Sequence, residues 1–148
     1  MIDALLGASS VYLDTAPVVY FIEEDEDFCD LVEPVIEAID HGTKRGLSSY
    51  LTLLEVLVKP LAENRNDLAT RYRDLLIQSP HMRLMDVNES IAEDAARIRA
   101  RYKFKTPDAI HLASAKVGGA DLFVTNDDRL HRFLDLTVIV LRDYVGTV

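Results

Sequence analysis

A chain of 148 residues that is 49% hydrophobic and 28% charged has the size and composition of one folded globular domain, 1–148, with a sizeable core. Six Gly and five Pro are too few for collagen-like or low-complexity classes. The formal net charge of −9 gives a whole-molecule field that repels nucleic acid, so a nucleic-acid role needs local basic patches or bound cations.

The opening Met1 to Leu6 carries an acid, Asp3, and an apolar run too short for a signal peptide. No stretch approaches the roughly 20 apolar residues of a membrane span, so no membrane role is expected. Val11-Tyr12-Leu13 is a short β-prone run that meets a helix start, with Thr15 as a cap and Pro17 in the first turn of a helix over 17–23. The acidic run Glu23 to Asp27 reads as a solvated surface loop. Cys29, the single cysteine, excludes an intramolecular disulfide and a multi-cysteine zinc site, and it fits a reducing cytoplasm.

Leu31, Val32, Val35, Ile36 and Ile39 recur at helical spacing until His41-Gly42. A short strand over 45–48 precedes a helix capped by Ser48 or Ser49 and carrying Leu51, Leu54, Glu55, Leu57 and Val58, with Pro60 expected to bend or interrupt it. A longer helix over 66–78 carries Leu68, Tyr72, Leu75 and Leu76 on one face and ends at Ser79-Pro80. A strand over 82–87 is followed by Ser90-Ile91-Ala92-Glu93, which fits a capping box opening a helix over 91–102.

Thr106-Pro107-Asp108 starts another helix, with Ile110, Ala113, Ser114 and Val117 as its buried face and Gly118-Gly119 as its stop. Residues 122–125 read as a buried strand, 128–134 as a short helix and 137–141 as a last strand. Strands alternating with helices predict the α/β class: a three-layer α/β/α sandwich around a central, mainly parallel sheet.

In that arrangement Asp14 follows the first strand, Asp127 follows the strand at 122–125 and Asp108 lies in the first turn of a helix. Ligands of open α/β sheets bind beyond the carboxyl ends of the strands, so acids there converge although they are distant in sequence. Glu55 is a fourth candidate, since an acid among so many apolar neighbours caps, pairs with a base or faces a polar cleft. Singly, each acid has an ordinary structural reading as a turn, cap or helix-dipole residue. Jointly, one metal site explains all four.

Converging carboxylates repel by about 4 kcal/mol per pair at roughly 4 Å and an effective dielectric near 20, a conflict that a divalent cation removes. An all-carboxylate donor set without partnering His or Cys suits Mg²⁺ or Mn²⁺ rather than zinc. Such sites activate water and stabilise a phosphoryl group in flight, which points to phosphodiester hydrolysis.

Four segments resemble the PIN-domain nucleases, and among them the VapC-type toxins of toxin–antitoxin pairs. They are Val11 to Tyr20 (VYLDTAPVVY), Ser49 to Val58 (SYLTLLEVLV), Thr106 to Ala115 (TPDAIHLASA) and Leu122 to Phe133 (LFVTNDDRLHRF), in family order and covering nearly the whole chain. By position the family's acidic quartet falls on Asp14, Glu55, Asp108 and Asp127, with the Thr125 hydroxyl orienting a ligand. The Thr-x-Asp pattern favours Asp127 over the adjacent Asp128 as the fourth acid.

The resemblance implies a Mg²⁺-dependent endoribonuclease that leaves a 5′-phosphate and a 3′-hydroxyl, an antitoxin partner and a toxin homodimer. In the mechanism it implies, Asp14, Asp108 and Asp127 hold the metal and Glu55 orients or deprotonates the attacking water.

RNA contact is expected from Arg97, Arg99, Arg101, Lys103 and Lys105, just before Asp108, and from Arg129 and Arg132, just after Asp127. The alternative for the basic run is a solvated helix face. Tyr102 and Phe104 read as core anchors rather than base-stacking platforms. His111, one turn beyond Asp108, reads first as a packing or surface residue, with a cleft-facing side chain as the alternative, and the other histidines show no metal spacing.

Two other functions fit an α/β sheet. A phosphoaspartyl receiver or phosphatase needs an Asp nucleophile with a nearby supporting acid and a Lys, and Asp14 is followed by Thr-Ala-Pro. A non-catalytic binding module would have no folding reason to keep acids at all four positions.

Overall fold

The computed structural model describes residues 1–146. Five strands, β1 (Ser10–Leu13), β2 (Arg45–Ser49), β3 (Met82–Met85), β4 (Leu122–Thr125) and β5 (Thr137–Val140), pair in parallel in the order β3-β2-β1-β4-β5. Parallel neighbours need crossover connections, and these carry the helices. Helices α1 (Ile2–Gly7), α2 (Thr15–Ile22), α3 (Cys29–Asp40), α4 (Tyr50–Ala62) and α5 (Asn66–Arg73) precede β3, while α6 (Glu89–Tyr102) and α7 (Thr106–Val117) join β3 to β4.

The period-two alternation of strand side chains divides the core into two layers. Val11, Leu13, Val124 and Ile139 face one way and pack with Val18, Ile22, Val35, Ile36 and Tyr72 of α2, α3 and α5. Tyr12, Leu47, Met85 and Phe123 face the other way against Ile91 and Ile98 of α6 and Ala109, Leu112 and Ala113 of α7. Helices on both faces of a parallel sheet make the expected α/β/α sandwich. Small residues on α7 let it lie close to α6 and the sheet, which leaves Ala109 and the whole of 111–115 buried.

Several element expectations are corrected by local chemistry. Helix α2 begins at Thr15 because Asp14, rather than Thr15, is its cap and accepts from the Thr15 N–H at 2.9 Å. Helix α4 is capped by Ser49 and runs through Pro60 to Ala62; the proline stands two residues from the end, where it removes little of the remaining ladder. The 66–78 helix is α-helical only to Arg73 and closes with a π turn over Asp74–Gln78.

Helix α1, which the short Met1 to Leu6 run did not suggest, precedes β1. The third strand stops at Met85, the segment after β4 is a 3-10 turn over Asp128–Arg132, and the last strand ends at Val140. Val117 is exposed rather than buried, because Gly118 ends α7 beside it.

The cap of α6 is Asn88, whose Oδ1 accepts from the Ile91 N–H at 3.0 Å, so Ser90 lies inside the helix and forms no capping box. Asn88→Ala is therefore expected to cost about 1 kcal/mol of unfolding free energy, and Ser90→Ala a few tenths at most, in a urea titration. The reverse order would restore Ser90 as the cap.

Candidate active site

The strand order reverses between β1 and β4, and their carboxyl ends define the crevice where ligands of open α/β sheets bind. Asp14 leaves β1 there. Its N–H donates to the Val124 carbonyl at 3.0 Å, extending the ladder by one residue and setting its side chain beside β4. The buried Thr125 hydroxyl then donates to Asp14 Oδ2 at 2.7 Å. Asp14 is 9% exposed and tied on both oxygens, so its carboxylate is fixed.

Helices α4 and α7 bring in the next two acids. Asp14, Glu55 and Asp108, with Thr15, Tyr20 and His111, line one open cavity of about 350 Å³. Asp127 is linked to it through Arg129, whose guanidinium is paired with Asp127 and also reaches Asp108 Oδ2 at 3.4 Å. Asp127 also caps the 3-10 turn, and its own N–H donates to the Thr125 hydroxyl. Asp128 turns away, largely exposed, and meets Arg142 at 3.8 Å. Asp127 is thus the acid that faces Asp108.

The charges interact as an acidic cluster should. Burial first, then the charges of Asp127 and Asp14, push the Asp108 carboxyl above its ordinary range, and Arg129 only partly offsets them. The hydrogen bond from Arg129 holds Asp127 below the usual carboxylate range. Burial would raise Glu55, but hydrogen bonds from His111 and Thr15 outweigh it and lower its carboxyl.

His111 takes the cleft-facing alternative rather than the packing or surface reading: it is 2% exposed yet borders the crevice. Its Nε2 lies 2.8 Å from Glu55 Oε1 and 3.5 Å from Asp14 Oδ1, and its Nδ1 lies 2.7 Å from the Tyr12 hydroxyl. Burial works against a charge on the ring, while the Glu55 bond and the charges of Asp14, Glu55 and Asp108 raise its basicity above the ordinary value. Thr15, read as a cap, spends its hydroxyl on Glu55 Oε1 at 2.7 Å. The signal for His111 was its three-residue spacing from Asp108 on a helix, which puts both on one face.

The basic residues divide into three groups. Arg129 is the counter-ion of Asp127, not a residue that merely flanks the cleft. Arg99 donates to the Phe104 carbonyl at 2.9 Å, and Arg132 donates to the Tyr102 carbonyl at 3.0 Å while lying over the Phe104 ring, so both brace the α6–α7 connection. Arg97, Arg101, Lys103 and Lys105 are exposed, with Arg97 near Glu93 and Arg101 over the Tyr102 ring. Phe104 is buried and stacks on Tyr102, as the core-anchor reading expected.

The donor chemistry fits a hard divalent cation: the crevice offers carboxylate oxygens, and at Asp108 burial and then the charges of Asp127 and Asp14 disfavour a bare anion. As folded, no three His, Cys, Asp or Glu side chains among the described residues stand at ligand spacing, and Arg129 neutralises part of the cluster. Arg129→Gln is therefore expected to tighten Mn²⁺ binding severalfold in a calorimetric titration at low salt. Unchanged or weaker binding would mean that the guanidinium does not compete for these acids.

An open parallel sheet with carboxylates beside its switch point defines an α/β protein with an acidic crevice. The chain belongs to the PIN domain family, whose model matches residues 11–135. In fold it is similar to a chain of VapBC2 from Rickettsia felis, determined bound to a DNA fragment from their promoter, with TM-score 0.71 and 15% identity over 88% of this chain and 98% of that one. A chain of a toxin–antitoxin complex from Klebsiella pneumoniae gives TM-score 0.67 and 21% identity over 88% and 96%. VapBC-5 from Mycobacterium tuberculosis gives 0.58 and 20% over 89% and 98%. No curated protein matches the chain in sequence.

Proposed function

We propose that this chain is a VapC-type toxin, an endoribonuclease dependent on Mg²⁺ or Mn²⁺ that hydrolyses RNA phosphodiester bonds. The observation that carries the reading is the convergence of Asp14, Glu55 and Asp108 on one crevice at the sheet's switch point, in a family whose members are generally nucleases. Asp14, Asp108 and Asp127 are the residues that would hold the cation. When bound, such a cation supplies the positive charge that acidifies water and stabilises a phosphoryl group in flight.

The remaining work falls to the chain. Thr125 fixes Asp14, and Arg129 balances Asp127. Glu55 orients a water for in-line attack on phosphorus and accepts its proton; the new P–O bond forms as the bond to the 3′ oxygen breaks, and that oxygen takes a proton from solvent water, leaving a 5′-phosphate and a 3′-hydroxyl. Arg97, Arg101, Lys103 and Lys105 offer exposed cations for the RNA backbone against the net charge of −9.

An antitoxin partner is supported by the toxin–antitoxin complexes among the structural neighbours and by an uncovered apolar row on α4, Tyr50, Leu54, Val58 and Leu61. The reading extends to a cytoplasmic homodimer, as the VapC-type resemblance implies; among the described residues no helix is long and apolar enough to cross a membrane.

The test is to express the wild type and Asp108→Asn under tight induction and map new RNA 5′ ends across the transcriptome. Growth arrest with discrete cleavage sites in the wild type alone is expected. Soluble wild-type protein that produces no new ends would favour a PIN-like binding module instead.

A further inference from the structure

Two buried polar side chains stand behind the crevice, His111 on its wall and Tyr12 beneath it, and take no part in the chemistry described above. Tyr12, on the middle of β1, is 0% exposed, and His111, on α7, is 2% exposed. An imidazole and a phenol are placed at such depth only when their polar atoms are satisfied. Here Tyr12 is bonded to His111, and His111 in turn meets Glu55. Tyr12 hydroxyl to His111 Nδ1 is 2.7 Å, and His111 Nε2 to Glu55 Oε1 is 2.8 Å.

The direction of the second bond follows from the donor inventory. An ionised carboxylate only accepts, so Nε2 carries a proton and donates to Glu55 Oε1. Burial and the charge of Asp14 keep the Tyr12 phenol protonated, and it donates to the other ring nitrogen when the ring is neutral. The Thr15 hydroxyl also donates to Glu55 Oε1, at 2.7 Å.

Two donors thus converge on Oε1. Among the described residues Glu55 Oε2 has no hydrogen-bond partner, although the carboxylate borders the open cavity. A glutamate on a helix surface ordinarily samples several rotamers and presents either oxygen. This one is held by one oxygen, with the other left for a reacting partner.

We propose that the Tyr12–His111 pair is a positioning element for Glu55, locking Oε1 from the core side so that Oε2 is the oxygen presented to the attacking water. The pair is built into the fold. The ring of Tyr12 is stacked on Phe123 with centroids 5.1 Å apart and planes at 4°, and lies edge-on to His111 at 5.9 Å. Neither residue touches substrate in this scheme. Each acts through Glu55, so the inference rests on the nuclease reading.

The experiment is a double-mutant cycle read on a labelled RNA oligonucleotide with saturating Mg²⁺, joined to nitrogen-15 NMR of the His111 ring. His111→Leu is expected to lower kcat by about 10–100-fold, the range for partners that orient a metal site's ligands, with KM changed by less than about twofold. His111→Gln, which keeps a donor at that depth, should recover at least part of the loss. Tyr12→Phe, which keeps the ring stack and the volume, should lower kcat in the same direction by a smaller factor.

In a Glu55→Gln background, His111→Leu should add less than about twofold, because its partner is already neutralised. Full additivity, or a loss confined to KM, would overturn the proposal.

Circular dichroism and thermal melting separate misfolding from mispositioning, and Tyr12→Phe carries the kinetic test if the His111 variants do not fold. The NMR readout is independent of activity: the Nε2–H resonance of wild type should move in Glu55→Gln. If the wild type cleaves no RNA while that resonance still moves, the nuclease reading fails and the Tyr12–His111–Glu55 link stands. A resonance that does not move removes the link whatever the kinetics show.

Discussion

Replacing Asp108 with Asn is expected to lower the RNA cleavage rate steeply and, in the same protein without metal, to increase stability. The two effects have opposite signs because they arise from the same charge. Asp108 sits half-buried within reach of the charges of Asp127 and Asp14, and these, after burial itself, push its carboxyl above the ordinary range. An acid whose folded value exceeds its unfolded value is tolerated when protonated in both states and penalised once it ionises. The penalty is therefore absent below the unfolded value of about 4, grows as pH rises through the folded value and is complete above it.

Asn at position 108 removes that penalty, so the melting temperature of the variant should exceed that of wild type at pH 7 and converge with it near pH 3. Catalysis moves the other way. A ligand oxygen lost from an all-carboxylate site forfeits several kcal/mol of transition-state charge stabilisation, and each 1.4 kcal/mol is about tenfold in rate, so a loss of roughly 10³-fold is expected. A melting temperature that falls at pH 7 would show that Asp108 is held by Arg129 as a structural ion pair. That would shift its role from ligand to scaffold.

The acid constellation was legible because each member stands at a landmark that local patterning reveals: the end of an apolar run for Asp14 and Asp127, a Thr-Pro helix start for Asp108 and an apolar helix for Glu55. Parallel topology does the rest, since the switch between β1 and β4 draws these landmarks to one end of the sheet. His111 was legible only as an alternative, through its spacing from Asp108. A histidine among Ile110, Leu112 and Ala113 has the same local pattern whether it fills space or serves a site, and the difference is made by Tyr12, 99 residues away.

Helix starts show the same limit. Thr15, Ser48 and Ser90 all look like caps, but Thr15 bonds to Glu55, Ser48 to the Leu13 carbonyl and Thr52, and Ser90 lies within a helix already capped by Asn88. A hydroxyl beside a helix start has several acceptors within reach, and tertiary packing selects one. The ion pair of Arg129 was not legible for a related reason, because nothing in the local pattern says that a base two residues from an acid turns back onto it.

Phe123→Ala should be among the most damaging single substitutions in the core, costing about 3–5 kcal/mol of a typical 5–15 kcal/mol stability. Phe123 is wholly buried on β4, pairs in register with Tyr12 on β1 and packs with Leu112, Ala113 and Leu130 in the layer beneath α6 and α7. At about 2–4 °C per kcal/mol for a chain of this size, its melting temperature should fall by roughly 10 °C or more.

Phe133→Ala is the informative comparison. Phe133 is 2% exposed in the same apolar layer but packs against Tyr102, at the end of α6, rather than Tyr12. Both truncations leave a cavity of similar size, so their stability losses should be comparable. Only the loss of Phe123 removes the surface on which the Tyr12 ring is stacked.

At a temperature where both variants remain folded, the cleavage rate of Phe123→Ala should therefore fall further than that of Phe133→Ala, with RNA affinity equal in the two. Equal rates would mean that the sheet backbone alone places the carboxylates. A selective loss at Phe123 would trace a packed path from the middle of the sheet, through Tyr12 and His111, to the carboxylate of Glu55.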